Sequence, residues 1–173
     1  MERRTLHEWA VWRLVERDFR DPLGNEFSRT FVESPGVVAV VAMDDNRKLV
    51  MVRQYRPALD MELWEIPAGM RDIAEESPLD CAKRELREET GYHALVWRHL
   101  GQVAQSPGTS NSIAELFLAT DLERGDAAPQ GPEETSSTIH LVDMDDAVRM
   151  VERGEVINSL AIVGILRASS LVS

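Results

Sequence analysis

Alternating apolar and polar residues, interrupted by turn sequences, predict strands along the first part of the chain. HEWAVWRLVERDF (7–19) alternates in part. EFSRTFVES (26–34) follows it after the turn sequence DPLGN (21–25), so the two segments predict a hairpin. VVAVVAM (37–43) is a continuous apolar run, which predicts a strand covered on both faces. LVMVRQYRP (49–57) predicts a further strand that its proline ends.

One segment carries helix signals at both of its ends. Ser77 suits the N-cap, and a proline follows it at the first helical position. Asp80 places a negative charge near the positive N-terminal end of the helix dipole. Gly91 stands where a glycine C-cap belongs. The pattern therefore predicts a helix from Pro78 to Thr90.

The order of the remaining elements excludes a regular alternation of strands and helices. Strands are predicted at 94–105, 112–122 and 138–144, a polar loop at 123–137, and helices at 145–154 and 159–169. Asn158 suits the N-cap of the last helix. Strands, a helix, strands and two helices predict an α/β protein of the α+β kind, with a mixed sheet packed between helices.

Composition limits the classes of function. A chain of 173 residues suits one compact domain. The net charge of -11 argues against a nucleic-acid binder, because phosphate backbones are bound by basic surfaces. The apolar runs are too short to cross a membrane, and the charged first residues lack the apolar core of a signal peptide. With a single cysteine, these features predict a cytoplasmic protein that binds neither nucleic acid nor membrane.

The predicted helix carries three closely spaced glutamates. At about 100° per residue, Glu85, Glu88 and Glu89 fall within one arc of roughly 100°. This arc borders an apolar stripe that faces the core, formed by Leu79, Ala82 and Leu86. A solvated charged face with local ion pairs is the common explanation of such an arc. The alternative is a cluster of hard oxygen ligands for Mg²⁺ or Mn²⁺, and the surrounding sequence decides between them.

The stretch GMRDIAEESPLDCAKRELREETGY, Gly69 to Tyr92, resembles the Nudix box. That pattern is a glycine, five residues, a glutamate, seven residues, and then Arg-Glu-aliphatic-x-Glu-Glu-x-Gly-aliphatic. Its second half is matched by Arg84, Glu85, Leu86, Glu88, Glu89 and Gly91. Its first half is one residue longer here, so either Glu75 or Glu76 takes the place of the isolated glutamate. The extra residue falls in the loop before the helix, where insertions are tolerated.

The sequence on either side of the box extends the resemblance to the ADP-ribose pyrophosphatase group of the family. The similar segments are 49–69, 105–122 and 150–159. The resemblance implies the Nudix-type α/β/α sandwich with a mixed sheet and added N-terminal strands. It also implies a homodimer, with residues 1–35 as the dimerisation element and residues 36–173 as the Nudix hydrolase domain.

The resemblance also assigns the metal ligands and the reaction. Family members hydrolyse a nucleoside diphosphate linked to another group, by attack of water on a phosphorus atom. By motif position, the carbonyl of Ala68 and the carboxylates of Glu85 and Glu89 bind Mg²⁺ or Mn²⁺, and Glu88 assists both in metal binding and in catalysis. Arg84 orients these glutamates. Divalent ions suit the chemistry because they neutralise the diphosphate and lower the pKa of bound water.

Substrate contacts and the general base are expected outside the box. Arg56 and Arg53 lie near the end of a predicted strand that leads to the site. A guanidinium can bind a phosphate group through two hydrogen bonds. The alternative is that these arginines are ordinary surface residues. Glu65 accepts hydrogen bonds from the substrate or supports a residue that does. The polar loop offers Glu134 first and then Glu133 as the general base, with a solvated acidic loop as the alternative.

Aromatic residues and competing functions complete the expectations. Trp9 and Trp12 either pack at the dimer interface, which we favour, or stack on adenine. We expect Trp64 to be a core residue and His140 to have a structural role.

The predicted reaction is hydrolysis of ADP-ribose to AMP and ribose 5-phosphate. The alternatives are another nucleotide sugar or dinucleoside polyphosphate as substrate, a catalytically silent nucleotide sensor, and a plain interaction module.

Overall fold

The computed structural model describes residues 2–125 and 137–171, and the elements of these residues are as follows. The strands are β1 (Arg3–Trp9), β2 (Trp12–Arg20), β3 (Glu26–Glu33), β4 (Val37–Ala42), β5 (Lys48–Arg56), β6 (Met61–Glu65), β7 (Ala68–Met70), β8 (Tyr92–Ala104), β9 (Ile113–Arg124) and β10 (Thr138–Asp143). The helices are α1 (Pro78–Thr90), α2 (Met144–Glu152) and α3 (Ser159–Ser169).

The strands form three sheets, one of them of mixed direction. The N-terminal sheet has the antiparallel order β1-β2-β3. The central sheet has the order β7-β4-β9-β8, in which β4 and β9 run parallel and the other neighbours antiparallel. The third sheet is β10-β5-β6. Because α1 covers one side of the central sheet and α3 the other, the predicted α/β/α fold class is confirmed.

Strand β4 separates two hydrophobic clusters. Ala39 and Val41 belong to the cluster that α2 and α3 cover. Val38 and Val40 belong to the cluster that α1 covers. All four side chains are fully buried, so the continuous apolar run is covered on both faces, as predicted.

Helix α1 begins and ends where its two caps predict, and α3 begins directly after its predicted N-cap. The Ser77 hydroxyl accepts a hydrogen bond from the Asp80 N–H at 3.1 Å, and Gly91 ends α1 in the left-handed region with a φ of 74°. The Asn158 side chain accepts from the first N–H groups of α3. Among the residues that the structure describes, no helix is long and apolar enough to span a membrane.

Some strands were not predicted from the sequence. The segment predicted as one strand at 7–19 is divided between β1 and β2, which a tight turn joins, and Ala10 in that turn has a φ of 46°. β6 and β7 lie in a segment to which the pattern assigned no structure. β1 is exposed along its whole length and β7 has three residues, so neither shows the periodicity of a half-buried strand.

Candidate active site

The carboxylate of Glu85 lies directly against the backbone of β7. A Cβ atom on Gly69 would lie 1.9 Å from the carboxyl carbon of Glu85 and 2.2 Å from each of its oxygens. Only a glycine leaves this space, which gives a physical reason for glycine at the start of the box. Helix α1 thus brings a nearly buried carboxylate onto the strand that begins with Ala68.

Glu89, one helical turn further along, contacts the same strand. Its Oε2 atom accepts a hydrogen bond from the Ala68 N–H at 3.2 Å. This bond fixes the backbone next to the Ala68 carbonyl against α1. The structure therefore brings together Ala68, Glu85 and Glu89, three of the four residues that the resemblance assigns to metal binding.

A single guanidinium organises the other carboxylates of the box. The Arg84 Nε and one terminal nitrogen donate to the two oxygens of Glu76 at 2.9 and 3.0 Å. The other terminal nitrogen donates to Glu85 at 2.7 Å and to Glu88 at 3.3 Å. The hydrogen bond from Arg84 lowers the pKa of Glu76. Glu75, in contrast, is exposed with a φ of 64°, so the geometry gives the place of the isolated box glutamate to Glu76.

The donor atoms at this place suit a hard divalent cation. The three converging groups offer only oxygen, which is the ligand type that Mg²⁺ and Mn²⁺ prefer. The one cysteine nearby, Cys81, is buried, and burial raises the pKa of its thiol to about 12. Within residues 2–125 and 137–171, no three His, Cys, Asp or Glu side chains are already gathered as a metal cluster.

Arg56 and Glu65 form a two-point ion pair on the neighbouring sheet. The Arg56 Nε donates to Glu65 Oε1 at 2.7 Å, and a terminal nitrogen donates to Oε2 at 2.6 Å. Glu65 is 3% exposed, whereas the Arg56 side chain is 40% exposed. The buried carboxylate therefore holds the guanidinium in one orientation at the protein surface.

A cavity of about 360 Å³ joins the two parts of the site. It is lined by Trp12, Ser34, Val37, Arg56, Glu65, Ala68, Gly69, Met70, Gln105, Ser110, Ser112, Asn158 and Leu160. The Arg56–Glu65 pair and the start of β7 thus line the same space. Sequence reasoning assigned no site role to its serines, to Gln105 or to Asn158. Asn158 was recognised only as a helix cap.

Other predicted residues lie elsewhere. Arg53 is not among the cavity residues; it is exposed, donates to Glu62 at 2.9 Å, and stacks over Trp64 with its guanidinium 5.2 Å from the ring centre. Its role in substrate binding stays a prediction. His140 meets the edge of Trp64 with 4.8 Å between ring centres. The two candidates for the general base, at positions 133 and 134, lie outside the described residues.

The N-terminal tryptophans occupy different places. Trp12 lines the cavity, whereas Trp9 is 40% exposed and lies 6.3 Å from Trp12 between ring centres. Trp12 therefore connects the N-terminal sheet to the candidate site of the same chain. The sequence left open both packing at a dimer interface and stacking on adenine for Trp12, and its place at the cavity arises from how two sheets pack.

A glutamate-bearing helix packed on a short strand beside a cavity is the arrangement expected of a Nudix hydrolase. The profile of the NUDIX domain family matches residues 33–159, and the chain belongs to this family. The chain is 40% identical over 169 residues to an ADP-ribose pyrophosphatase of Mycobacterium tuberculosis, covering 98% of this chain and 82% of the relative. It is 37% identical over 143 residues to an ADP-ribose pyrophosphatase of Bacillus subtilis, covering 83% and 77% respectively. The predicted family and hydrolase class are confirmed.

Two further comparisons support the family assignment and the fold. A methanol dehydrogenase activator of Bacillus methanolicus is 33% identical over 155 residues, covering 90% of this chain and 83% of the relative. A crystal structure of an ADP compounds hydrolase superposes with a TM-score of 0.82 at 18% identity, covering 99% of this chain and 92% of that one. At this identity, the structural match supports the fold alone.

Proposed function

We propose that this protein hydrolyses the diphosphate of ADP-ribose to AMP and ribose 5-phosphate with the help of Mg²⁺ or Mn²⁺. The names of two relatives at 37% and 40% identity support the substrate. The observation that carries the proposal is the packing of the Glu85 and Glu89 carboxylates on the strand Ala68–Met70, beside the cavity that Arg56 lines.

In this proposal, the box holds the cation through oxygen atoms. The Ala68 carbonyl and the carboxylates of Glu85 and Glu89 bind it, and Glu88 assists. When bound, a divalent ion neutralises diphosphate charge and lowers the pKa of a coordinated water molecule. Arg84 keeps Glu85 and Glu88 close to the place where they are needed, through its bonds to both.

The cavity residues bind and orient the diphosphate. The half-exposed guanidinium of Arg56 contacts phosphate oxygens, and Glu65 keeps it aligned before the substrate arrives, so less freedom is lost on binding. Glu134, or else Glu133, removes a proton from the attacking water. Positioning and charge stabilisation then supply most of the rate enhancement, as is usual for reactions at phosphorus.

We also propose that the protein is a homodimer that uses its N-terminal strands, residues 1–35, as the dimerisation element. A partly exposed aromatic row on the N-terminal sheet supports this: Phe19 stacks on Phe27 with 5.8 Å between ring centres, and Phe31 lies 6.2 Å from Phe19. Aromatic rows of this kind are typical of interface cores.

A substrate screen tests the proposed reaction. The purified protein is incubated with ADP-ribose, other nucleotide sugars and dinucleoside polyphosphates, with Mg²⁺ and separately with Mn²⁺. The products are identified by mass. We expect ADP-ribose to be cleaved fastest, yielding AMP and ribose 5-phosphate. Preferred cleavage of another compound would replace the substrate, and no cleavage of any compound would favour a nucleotide sensor.

A further inference from the structure

Strand β8 contains a β-bulge where it pairs with β9. His99 pairs with Phe117, whereas Gly101 pairs with Leu116, so β8 spends one residue more than β9 between these two pairs. Leu100 is therefore the extra residue of the bulge. Gly101, which follows it, has a φ of 95°, in the left-handed region that favours glycine. The backbone of β8 is thus bent at a defined place, four residues before the strand's end.

The bulge changes which residues of β8 face α3. Side chains directly opposite each other on antiparallel strands lie on the same face of the sheet. Phe117 belongs to the cluster that α1 covers, so its partner His99 lies on the α1 face. Leu116 belongs to the cluster that α2 and α3 cover, so its partner Gly101 lies on the α3 face. In a regular strand, two residues so spaced would share one face.

Gln105, the first residue after β8, lines the cavity because of this change of face. Val103, two residues before it, packs against the cluster on the α3 face. Gln105 lines the cavity together with Val37 and Leu160, which pack in the same cluster. Without Leu100, regular alternation would direct the side chains at 103 and 105 to the α1 face, away from the cavity. One extra residue therefore decides whether this amide belongs to the site.

Arg167, in the last turn of α3, bonds the bulge from the outside of the sheet. One terminal nitrogen donates to the Leu100 carbonyl at 3.0 Å and to the Gln102 carbonyl at 3.4 Å. The other terminal nitrogen donates to the Gln102 carbonyl at 3.4 Å. These carbonyls flank Gly101, where a Cβ atom would lie 3.2 Å from the guanidinium. Because the donor is charged, such bonds are stronger than bonds between neutral groups. The guanidinium thus fixes the bulge against α3, and the first turn of the same helix lines the cavity.

We propose that Arg167 is a positioning residue for substrate binding: it holds the β8 bulge, and the bulge directs Gln105 to the cavity, where its amide bonds the substrate. Arg167 is not among the cavity residues, so its effect on binding passes through the residue that it positions. An amide offers both a donor and an acceptor, which suits the hydroxyl and phosphate oxygens of a nucleoside diphosphate sugar. This inference rests on the proposed function only in taking such a compound as the ligand.

A double-mutant cycle tests this coupling. Arg167→Met keeps the length and removes the donors, Gln105→Ala removes the amide, and a third variant carries both changes. Arg167→Lys keeps a charged donor. Arg153→Met is the control, because Arg153 follows α2 and forms an ion pair with Glu155 at 3.8 Å. If Arg167→Met does not fold, Arg167→Gln replaces it.

Three quantities are measured for each variant. They are KM and kcat for ADP-ribose, the unfolding temperature, and the Kd of an ADP-ribose analogue that has a methylene bridge between its two phosphorus atoms. The Kd is measured by calorimetry with Mg²⁺. Because the analogue cannot be cleaved at this bridge, the Kd reports binding without turnover.

We expect Arg167→Met and Gln105→Ala each to raise KM and Kd about fivefold, which corresponds to the loss of one neutral hydrogen bond, and to leave kcat within about twofold. The double variant should bind about as weakly as either single variant, because each change removes the same contact. Arg167→Lys should regain part of the lost affinity, and the control should bind like the wild type.

A purely structural role of Arg167 gives a different result. It would lower the unfolding temperature of Arg167→Met and leave KM and Kd at their wild-type values. That outcome, or losses of affinity that multiply in the double variant, would overturn the inference.

The calorimetric measurement separates this inference from the proposed reaction. A wild-type protein that binds the analogue but does not cleave ADP-ribose contradicts the reaction, and the cycle still decides the role of Arg167. A wild-type protein that cleaves ADP-ribose while Arg167→Met keeps its KM and Kd contradicts only the positioning role. A wild-type protein that does not bind the analogue overturns the positioning role as well.

Discussion

At the residue scale, one arginine accounts for the close spacing of the box glutamates. Like charges one turn apart on a helix repel by a few tenths of a kcal/mol per pair. Arg84 bonds Glu76, Glu85 and Glu88 together, and this attraction offsets the repulsion. Because these groups are largely buried, the pairs are less screened by solvent than surface pairs. Arg84 thus stabilises the cluster of acidic side chains.

The first prediction concerns Glu89. We expect Glu89→Gln to lower kcat for ADP-ribose by about 10²-fold or more, because a charged oxygen ligand becomes a neutral one. The fold should be retained, since the glutamine oxygen can still accept the hydrogen bond from the Ala68 N–H. Kinetics with Mg²⁺, together with the unfolding temperature, check this.

Glu75→Gln is the matched control for that experiment. Glu75 is exposed in the loop before α1 and makes no ion pair with the described residues. It should keep its activity within about twofold. Near-normal activity of Glu89→Gln, or an equal loss in the control, would show that the ligand assignment is wrong.

At the element scale, sequence reasoning succeeded where local chemistry decides the structure. The caps Ser77, Gly91 and Asn158 act on the nearest turn of their helices, so α1 and the start of α3 could be predicted. The spacing of Glu85 and Glu89 is likewise local to one helix. The family pattern then supplied their role, and the packing on β7 is consistent with it.

The parts that sequence reasoning missed depend on pairing between distant segments. β7 has three residues and is a strand because it pairs with β4. The place of Trp12 in the cavity depends on how the N-terminal sheet meets the central one. Contacts of this kind cannot be recognised from the pattern of residues within one short segment.

The second prediction concerns the turn between β2 and β3. The Asp21 carboxylate accepts hydrogen bonds from the N–H groups of Leu23 and Asn25 and from the Asn25 side chain, at 2.8 to 2.9 Å. The bonds to Asn25 come first among the causes that lower the pKa of Asp21. A lowered folded-state pKa means that this stabilisation is present above the unfolded-state value of about 3.9 and is lost as the pH falls through the folded value.

Asp21→Ala should therefore unfold at a lower temperature than the wild type at about pH 6, and the difference should shrink toward about pH 3. Tryptophan fluorescence follows the transition, since Trp9 and Trp12 lie in the same sheet. Asp45→Ala, in the exposed turn before β5, is the control and should show no such pH-dependent difference. A difference that stays constant across this pH range would contradict the assigned role of the carboxylate.

At the scale of the whole molecule, the N-terminal sheet is hydrogen-bonded to the loop between β8 and β9, beside the cavity. The Val32 N–H donates to the Thr109 carbonyl at 2.8 Å, and the Asn111 N–H donates to the Val32 carbonyl at 3.2 Å. The Ser34 N–H donates to the Asn111 side chain at 2.9 Å. Ser110, between these anchors, lines the cavity. We therefore expect a change in the position of the N-terminal sheet to shift the loop that carries Ser110 and lines the cavity.

The last prediction tests whether this sheet also joins two chains. Phe27 is 37% exposed in the aromatic row with Phe19, and burying such a row against a second copy would remove apolar surface from water. We expect Phe27→Asp to weaken the dimer by at least about tenfold, as seen by sedimentation over a range of concentrations.

Leu23→Asp is the control, because Leu23 is 88% exposed but lies in the turn and not in the row. Because charge is added equally in both variants, a loss of dimer confined to Phe27→Asp assigns the interface to the aromatic row. Equal dimerisation of both variants and the wild type, or a monomeric wild type, would remove the N-terminal sheet as the dimerisation element.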